Sequence, residues 1–141
     1  MIAWILSLSL IFSQPLSSQS TGIIDLQITS AKSDKGVMRI LVFKSAKGFP
    51  DQVDHSVKAL SLRIKDKGAR IEIKDLPPGK YAIAAFHDED ENGKINTNPV
   101  GYPIEKYGFS NNAKAYFGPP EFDKASFTLE NGIKNVTINL R

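Results

Sequence analysis

Cysteine is absent from this sequence of 141 residues. The absence excludes disulfide bonds, thiolate catalysis, thiolate zinc sites and the acyl anchor of a lipoprotein. A dense block of positive charge is also lacking, since the 18 lysines and arginines are scattered and the formal net charge is only +3. We therefore do not expect nucleic acid as a partner, because a nucleic-acid-binding surface concentrates its basic residues.

A hydrophobic run long enough to cross a membrane is lacking as well. The longest apolar stretch, residues 2–12, falls short of the roughly 20 residues that a transmembrane helix needs. Its length suits the hydrophobic region of a signal peptide, and Ser18-Gln19-Ser20 supplies the small residues that a signal peptidase prefers. We predict a signal peptide over residues 1–20, so the protein is exported, periplasmic or extracellular, without a stable membrane span after cleavage. Because no lysine or arginine precedes the run, an N-terminal anchor or a buried segment stays open as the alternative.

The remaining residues, 21–141, are predicted to form one domain, because the hydrophobic content of 41% and the charged content of 23% are those of a globular protein. Apolar and polar residues alternate in short runs, which predicts strands, and turn residues such as Pro77-Pro78-Gly79 separate them. The runs are 22–30, 37–45, 57–66, 69–76, 81–88, 124–130 and 133–141. No stretch has a helical period, although residues 49–60 could hold one helical turn.

Strands with one polar and one apolar face predict an all-β fold. We expect a two-sheet antiparallel β-sandwich of about seven strands with a long irregular loop. The run 81–86 is apolar on both faces, which predicts a central strand, and its alanines would let residues 99–120 pack closely on it. The side chains expected to face inward are Ile24, Leu26, Ile28, Ile40, Val42, Leu62, Ile64, Ile71, Ile73, Ile83, Phe127, Leu129, Val136 and Ile138.

Residues 99–120 form a long segment that is rich in glycine, proline, asparagine and aromatic residues. Loops longer than about 12–15 residues are uncommon in compact domains and are usually functional or ordered by their own packing. Two interpretations stay open: the aromatic side chains plug the sandwich, or they combine with amides to bind a sugar or a peptide. The candidate ligand-binding residues are His87, Tyr107, Phe109, Asn111, Asn112 and Tyr116.

Residues 87–98, HDEDENGKINTN, are similar to a calcium loop. An EF-hand loop alternates oxygen ligands, has a central glycine and ends on a bidentate glutamate. Counted from Asp88, the match holds until Pro99, which cannot supply a carboxylate, although Glu105 or Asp123 could replace it if the loop folds back. The alternative is a polar turn whose side chains bond to their own backbone. The candidate calcium ligands are Asp88, Asp90, Asn92, Lys94 (through its carbonyl) and Asn96, with an expected dissociation constant of about 0.1–1 mM.

A small hydrolase is a further hypothesis, because His87 could act as a general base and Ser110 as a nucleophile. His87 and Asp88 are adjacent on a predicted strand and therefore point to opposite faces, so they cannot orient each other. No Gly-x-Ser-x-Gly elbow surrounds Ser110. The alternative is that His87 is simply a polar residue at the end of a strand.

Two stretches of this chain resemble the bacterial family DUF2141: LPPGKYAIAAFHDEDENGKINTN, and GYPIEKYGFSNNAKAYFGPPEFDKASFTL. The most specific parts are the HDEDENGK loop and the YGFSNN segment with its following GPPEF, and the resemblance covers nearly all of residues 21–141. It implies an exported β-sandwich of immunoglobulin-like or transthyretin-like type, without an established activity. The run LPPGKYAIAAFHD is also similar to prealbumin-like modules, which are accessory rather than catalytic. The family has aspartate at the position of Asn96, so the loop is less acidic here.

We therefore expect an exported, non-enzymatic β-sandwich that binds a small ligand, a glycan or an envelope protein around residues 87–120. Calcium is the one candidate cofactor, and it would order the loop at residues 88–98. A structural or interaction module without a ligand, and the small hydrolase, are the alternatives.

Overall fold

The computed structural model of the protein describes residues 18–141. Residues 1–17, which make up most of the predicted signal peptide, lie outside the described residues. Residues 18–21 are exposed and precede the first strand. From residue 18 onward, no helix is both long and apolar enough to cross a membrane.

Residues 18–141 form eight β-strands and one short α-helix. The strands are β1 (Gly22–Thr29), β2 (Val37–Phe43), β3 (Lys58–Arg63), β4 (Ala69–Leu76), β5 (Gly79–Asp88), β6 (Tyr107–Phe109), β7 (Phe127–Leu129) and β8 (Gly132–Asn139), and the helix is α1 (Phe122–Ala125). Single 3₁₀ turns occur at Val53–His55, inside the stretch for which one helical turn was considered, and at Ser110–Asn112. The additional strand, β6, lies within the long segment that has no alternating pattern.

The strands form two sheets, which confirms the predicted sandwich. One sheet has the order β4-β1-β8, and the other has the order β3-β2-β5-β6, with β7 also paired to β5. All pairs are antiparallel except β1 and β8, which run parallel from Gly22 opposite Gly132 to Thr29 opposite Asn139. Sequence alternation indicates which face of a strand is buried, but it does not indicate the direction of the neighbouring strand. The parallel pair was therefore not predicted.

The inner faces of the two sheets enclose the main hydrophobic core. Every residue that was expected to face inward belongs to it, and Leu62 and Ile71 are half-buried while the others are buried. The central strand is also confirmed, because β5 pairs with β2, β6 and β7 and is buried along most of its length. The period of two in the sequence thus specifies this core well.

A second, smaller core lies on the outer face of the five-stranded sheet. Its buried members are Phe43, Ala82, Ala84, Phe109, Phe122 and Ala125. The Phe49 ring packs edge-on against Phe43 and Phe122, at centroid distances of 5.4 and 5.9 Å. The small alanines of β5 let these aromatic rings approach the sheet. Of the segment 99–120, which was expected to pack here, Phe109 is the buried member of this core. This second core covers only part of the outer face, and the rest of that face is open.

Candidate functional site

The open part of the outer face is the floor of a groove of about 800 Å³. Two rows of side chains cross this floor from β3 to β6, because directly paired residues on neighbouring strands point to the same face. The rows are Ser61-Arg39-Phe86-Tyr107 and Ala59-Leu41-Ala84-Phe109. The floor is therefore mostly apolar, with a single charged side chain, Arg39.

Two loops line the groove above this floor. Residues 93–103 contribute Tyr102, which is 60% exposed, and residues 115–119 contribute Tyr116 and Phe117, which are 76% and 105% exposed. Of the aromatic residues predicted to bind a ligand, Tyr107, Phe109 and Tyr116 line this groove. The long segment is thus divided in its packing: Phe109 belongs to the second core, while Tyr116 and Phe117 remain open to solvent.

The loop that carries Tyr102 is held in a compact hairpin-like form. Asn98 accepts hydrogen bonds at its Oδ1 from the backbone N–H groups of Val100 and Tyr102, at 3.0 and 2.9 Å. The backbone N–H of Ile104 donates to the Asn96 carbonyl at 2.9 Å, which closes the base of the loop. Because its backbone is tied at these points, the loop can hold Tyr102 in place beside the groove.

Asp88 is the last residue of β5 and the first residue of the acidic loop (residues 88–98), and it is fully buried. Its Oδ2 accepts hydrogen bonds from Arg39 Nε at 2.8 Å and from the backbone N–H of Gly93 at 2.9 Å, and its Oδ1 accepts one from the N–H of Asn92 at 3.1 Å. Burial by itself raises the pKa of Asp88, but the Arg39 hydrogen bond and charge and the two backbone N–H groups lower it below its usual value. Asp88 is therefore an ionised anchor for both the loop and Arg39.

Glu105 folds back onto the same loop. It is buried, and its two carboxylate oxygens accept hydrogen bonds from the backbone N–H groups of Glu89 at 2.9 Å and Asn96 at 2.8 Å. Glu105 was one of the two residues considered as the missing carboxylate of the calcium pattern. The other, Asp123, instead forms an ion pair with Lys80 at 2.6 Å.

Two of the predicted calcium ligands, Asp88 and Asp90, lie close to each other and to Glu105. Asp90 Oδ2 accepts hydrogen bonds from the side-chain amides of Asn92 at 3.1 Å and Asn96 at 2.9 Å. One carboxylate oxygen each from Asp88, Asp90 and Glu105 lies within 4.8 Å of the other two. Because calcium–oxygen distances are about 2.3–2.6 Å, oxygens this close could share a single ion.

The backbone of this loop agrees with the predicted turn. Gly93 has a φ of +80°, and Glu91, two residues earlier, has a φ of +56°. The repulsion among the acids is relieved by Arg39, which pairs with Asp88, and by Lys32, which pairs with Glu89 at 3.1 Å. Lys94 forms no ion pair within residues 18–141, and its backbone N–H donates to Asn92 Oδ1 at 2.8 Å. The same hydrogen bonds would hold the loop in shape with or without an ion.

His87 lies on the inner face of its sheet, away from the groove. Its ring is buried, its Nδ1 accepts a hydrogen bond from the Lys32 backbone N–H at 3.2 Å, and its Nε2 donates to the Lys35 carbonyl at 2.7 Å. Both ring nitrogens are thus engaged in holding the β1–β2 connection.

The Ser110 hydroxyl is also fully engaged. It is buried, accepts a hydrogen bond from the Ile83 N–H at 2.8 Å and donates to the Ala125 carbonyl. Of the two predicted asparagines beside it, Asn111 donates to the Ser126 carbonyl at 2.6 Å and Asn112 accepts from the Asn139 N–H at 2.9 Å. These residues connect α1 and β8 to the sheet and do not line the large groove.

Sequence reasoning did not identify Arg39 as a site residue. It sits in a run, VMRILVF, that reads as an ordinary strand with a polar residue on its solvent face. A signal was nevertheless present in the side chains of β2 that point to the solvent side. On that side, Arg39 is followed by Leu41 and Phe43. Two apolar residues on a face that should meet water indicate that something covers part of this face.

Comparison with known proteins gives one match. Residues 26–137 match the family described as "Uncharacterized protein conserved in bacteria (DUF2141)". No curated protein and no solved structure matches the chain. The matched range includes the groove, the acidic loop, the second core and all of the buried main core except Ile24, Ile138 and Leu140.

Proposed function

We propose that this chain, which belongs to the DUF2141 family, is an exported, non-enzymatic binding module of the bacterial cell envelope. Its ligand or partner would occupy the groove on the five-stranded sheet. The acidic loop at residues 88–98 would form one wall of this site, and a calcium ion bound by the loop would stiffen that wall.

One observation carries the binding role: solvent-exposed aromatic side chains face an open, mostly apolar floor. Tyr102, Tyr116 and Phe117 expose large rings although other parts of the fold bury theirs. Exposed aromatic clusters beside a concavity are typical of binding sites, and small-molecule sites commonly measure about 300–1,000 Å³. The groove volume of about 800 Å³ falls within this range.

The acidic loop supports the calcium part of the proposal. Asp88, Asp90 and Glu105 provide three carboxylates close enough for one ion. Arg39 already neutralises Asp88, so the affinity should stay weak, with a dissociation constant of about 0.1–1 mM. Such a site would be loaded only where free calcium is high, as it is outside the cell.

An enzymatic role receives no support from the two residues that suggested it. His87 and Ser110 are both buried and their polar atoms are engaged in the fold, so neither is presented to a substrate. The remaining alternative is a structural module in which the groove binds nothing.

The experiment is a fragment screen by ¹H–¹⁵N NMR with neutral aromatic fragments and soluble glycans. We expect the amides that shift to cluster on β2, β5, β6 and the loops around Tyr102 and Tyr116. The variant Ala59→Trp should weaken these shifts, because Ala59 is exposed on the floor and a large ring there would cover part of it. Lys74→Trp, on an exposed position of the other sheet, is the matched control. Hits scattered over the surface, or equally weakened by both variants, would favour the structural module.

A further inference from the structure

We infer that the groove selects a ligand that carries a carboxylate on a flat apolar body, and that Arg39 binds the carboxylate. This inference rests on the proposed binding role of the groove and adds the chemical class of the ligand. It is carried by the position of Arg39, by the way Asp88 holds it, and by the charges around the groove.

Arg39 stands in the middle of the floor. It lies directly between Ser61 on β3 and Phe86 on β5, with Tyr107 next in the same row. Its side chain is 33% exposed, so the guanidinium is reachable from the groove. A ligand on this floor would touch Arg39 and the Phe86 ring together.

Asp88 orients the guanidinium of Arg39. The hydrogen bond uses Arg39 Nε, and no hydrogen bond links the terminal Nη atoms to any other residue between 18 and 141. A guanidinium has donors and no acceptor, so its free Nη groups require acceptor oxygens. A planar carboxylate matches this fork with two parallel hydrogen bonds. Because Asp88 orients the group in advance, less side-chain entropy is lost when a ligand binds.

The charges that face the groove favour an anion. Arg39 and Lys94 are its basic lining residues, and Asp51 is the one acidic lining residue among those described. The Asp88 carboxylate, which balances Arg39, is fully buried and covered by the loop. A ligand would therefore meet directed N–H donors rather than the buried carboxylate. A neutral sugar would leave this oriented donor group with weaker acceptors.

The test uses two probes of equal shape, 2-naphthoate and 2-naphthalenemethanol, titrated into the protein and followed by ¹H–¹⁵N NMR. Both should shift amides around the groove. We expect naphthoate to bind about tenfold more tightly, because the charge-assisted hydrogen bonds are lost with the alcohol. The largest difference between the two probes should appear at the amides of Arg39 and its strand neighbours.

Ser61→Glu is the decisive variant because Ser61 is exposed and lies directly opposite Arg39. A carboxylate at this position would occupy the free Nη donors and repel an anionic ligand. We expect naphthoate affinity to fall about tenfold, with the alcohol changed by less than about twofold. Ser61→Gln has the same size without the charge and should leave both probes close to wild type.

Arg39→Lys provides an independent arm that keeps the charge beside Asp88. It should bring naphthoate close to the affinity of the alcohol, because an ammonium cannot offer the same planar fork. Equal binding of the two probes to the wild-type groove would overturn the carboxylate inference but leave the groove proposal standing. Naphthoate shifts located away from β2 and β5, or no shifts from either probe at millimolar concentration, would overturn the inference too. The neutral fragments and glycans of the screen then decide the groove proposal separately.

Discussion

The two faces of the five-stranded sheet are both apolar, but they differ in how they are covered. The inner face of β5 presents Tyr81, Ile83 and Ala85 to the opposite sheet, and all three are buried in the main core. The outer face presents Ala82 and Ala84 to the second core, and then Phe86, which remains half-buried on the groove floor. The first face is buried against the opposite sheet, whereas part of the second stays uncovered and forms the groove in which we propose that a ligand binds.

The same contrast separates the neighbours His87 and Asp88. His87 faces inward, where both ring nitrogens bond to the backbone between β1 and β2. Asp88 faces outward, where it connects Arg39 of the groove to the backbone of the acidic loop. Adjacent residues on one strand thus have different roles, because the strand directs them to opposite faces.

The largest expected difference between the faces is in stability. Ile40→Ala removes a fully buried side chain from the main core and should cost about 2–5 kcal/mol in the free energy of unfolding. Leu41→Ala removes the next side chain, which is half-buried on the groove floor beside the second core, and should cost about 1–2 kcal/mol. Urea denaturation of both variants provides the measurement. Equal losses would mean that the outer face is as fully packed as the inner one.

Asp88 should have the next largest effect. Asp88→Asn removes the charge that holds Arg39 and two backbone N–H groups, and should cost about 2 kcal/mol at neutral pH. Since folding lowers the pKa of Asp88, its carboxylate stabilises the native state above the pKa of the unfolded chain. That contribution is lost as the pH falls through the lower folded pKa, so it should fade below about pH 4.

Urea unfolding of the wild type and the Asp88→Asn variant at pH 7 and pH 3 checks this expectation. The gap between the two proteins should narrow at pH 3, because the carboxylate takes up a proton in the unfolded wild type before it does so in the native state. Glu91→Gln, an exposed change in the same loop, is the control and should show little gap at either pH. A gap that stays constant with pH would mean that the loss in Asp88→Asn does not come from the charge of the carboxylate.

Most of the inner face could be predicted from the sequence, and the outer face only in part. Alternation identified the core strands because burial against a second sheet imposes a period of two, as in Ile24, Leu26 and Ile28. Glu105 meets Asp88 across 17 positions of chain because an irregular loop folds back, and local pattern does not encode that path. Arg39 is likewise connected to the acidic loop through Asp88, its diagonal neighbour on β5, and the sequence of β2 does not indicate this contact.

The third prediction concerns calcium binding by the acidic loop. Asp88 also supports the fold, so Asp90, which is exposed, is the better position to alter. Calcium at tenfold above its dissociation constant should stabilise the wild type by about 1.4 kcal/mol. Asp90→Asn should abolish this increment, and Glu91→Gln should retain it. If the wild type melts at the same temperature in millimolar calcium and in chelator, the loop is a hydrogen-bonded turn without a metal role.

The smallest expected change in stability belongs to Phe117, at the edge of the groove. Its side chain is fully exposed, so Phe117→Ser should alter the free energy of unfolding by less than about 0.5 kcal/mol. If the ring contacts a ligand, the same change should weaken the binding of neutral 2-naphthalenemethanol by about two- to tenfold, the range expected for one aromatic contact. Ile133→Ser is the matched control, because Ile133 is an exposed apolar residue on the three-stranded sheet, away from the groove. An equal effect of both variants on the affinity would show that the exposed ring of Phe117 has no part in binding. A loss of affinity confined to Phe117→Ser would instead show that this fold has two kinds of apolar residue. One kind stabilises the sandwich, and the other contributes to the site without stabilising the sandwich.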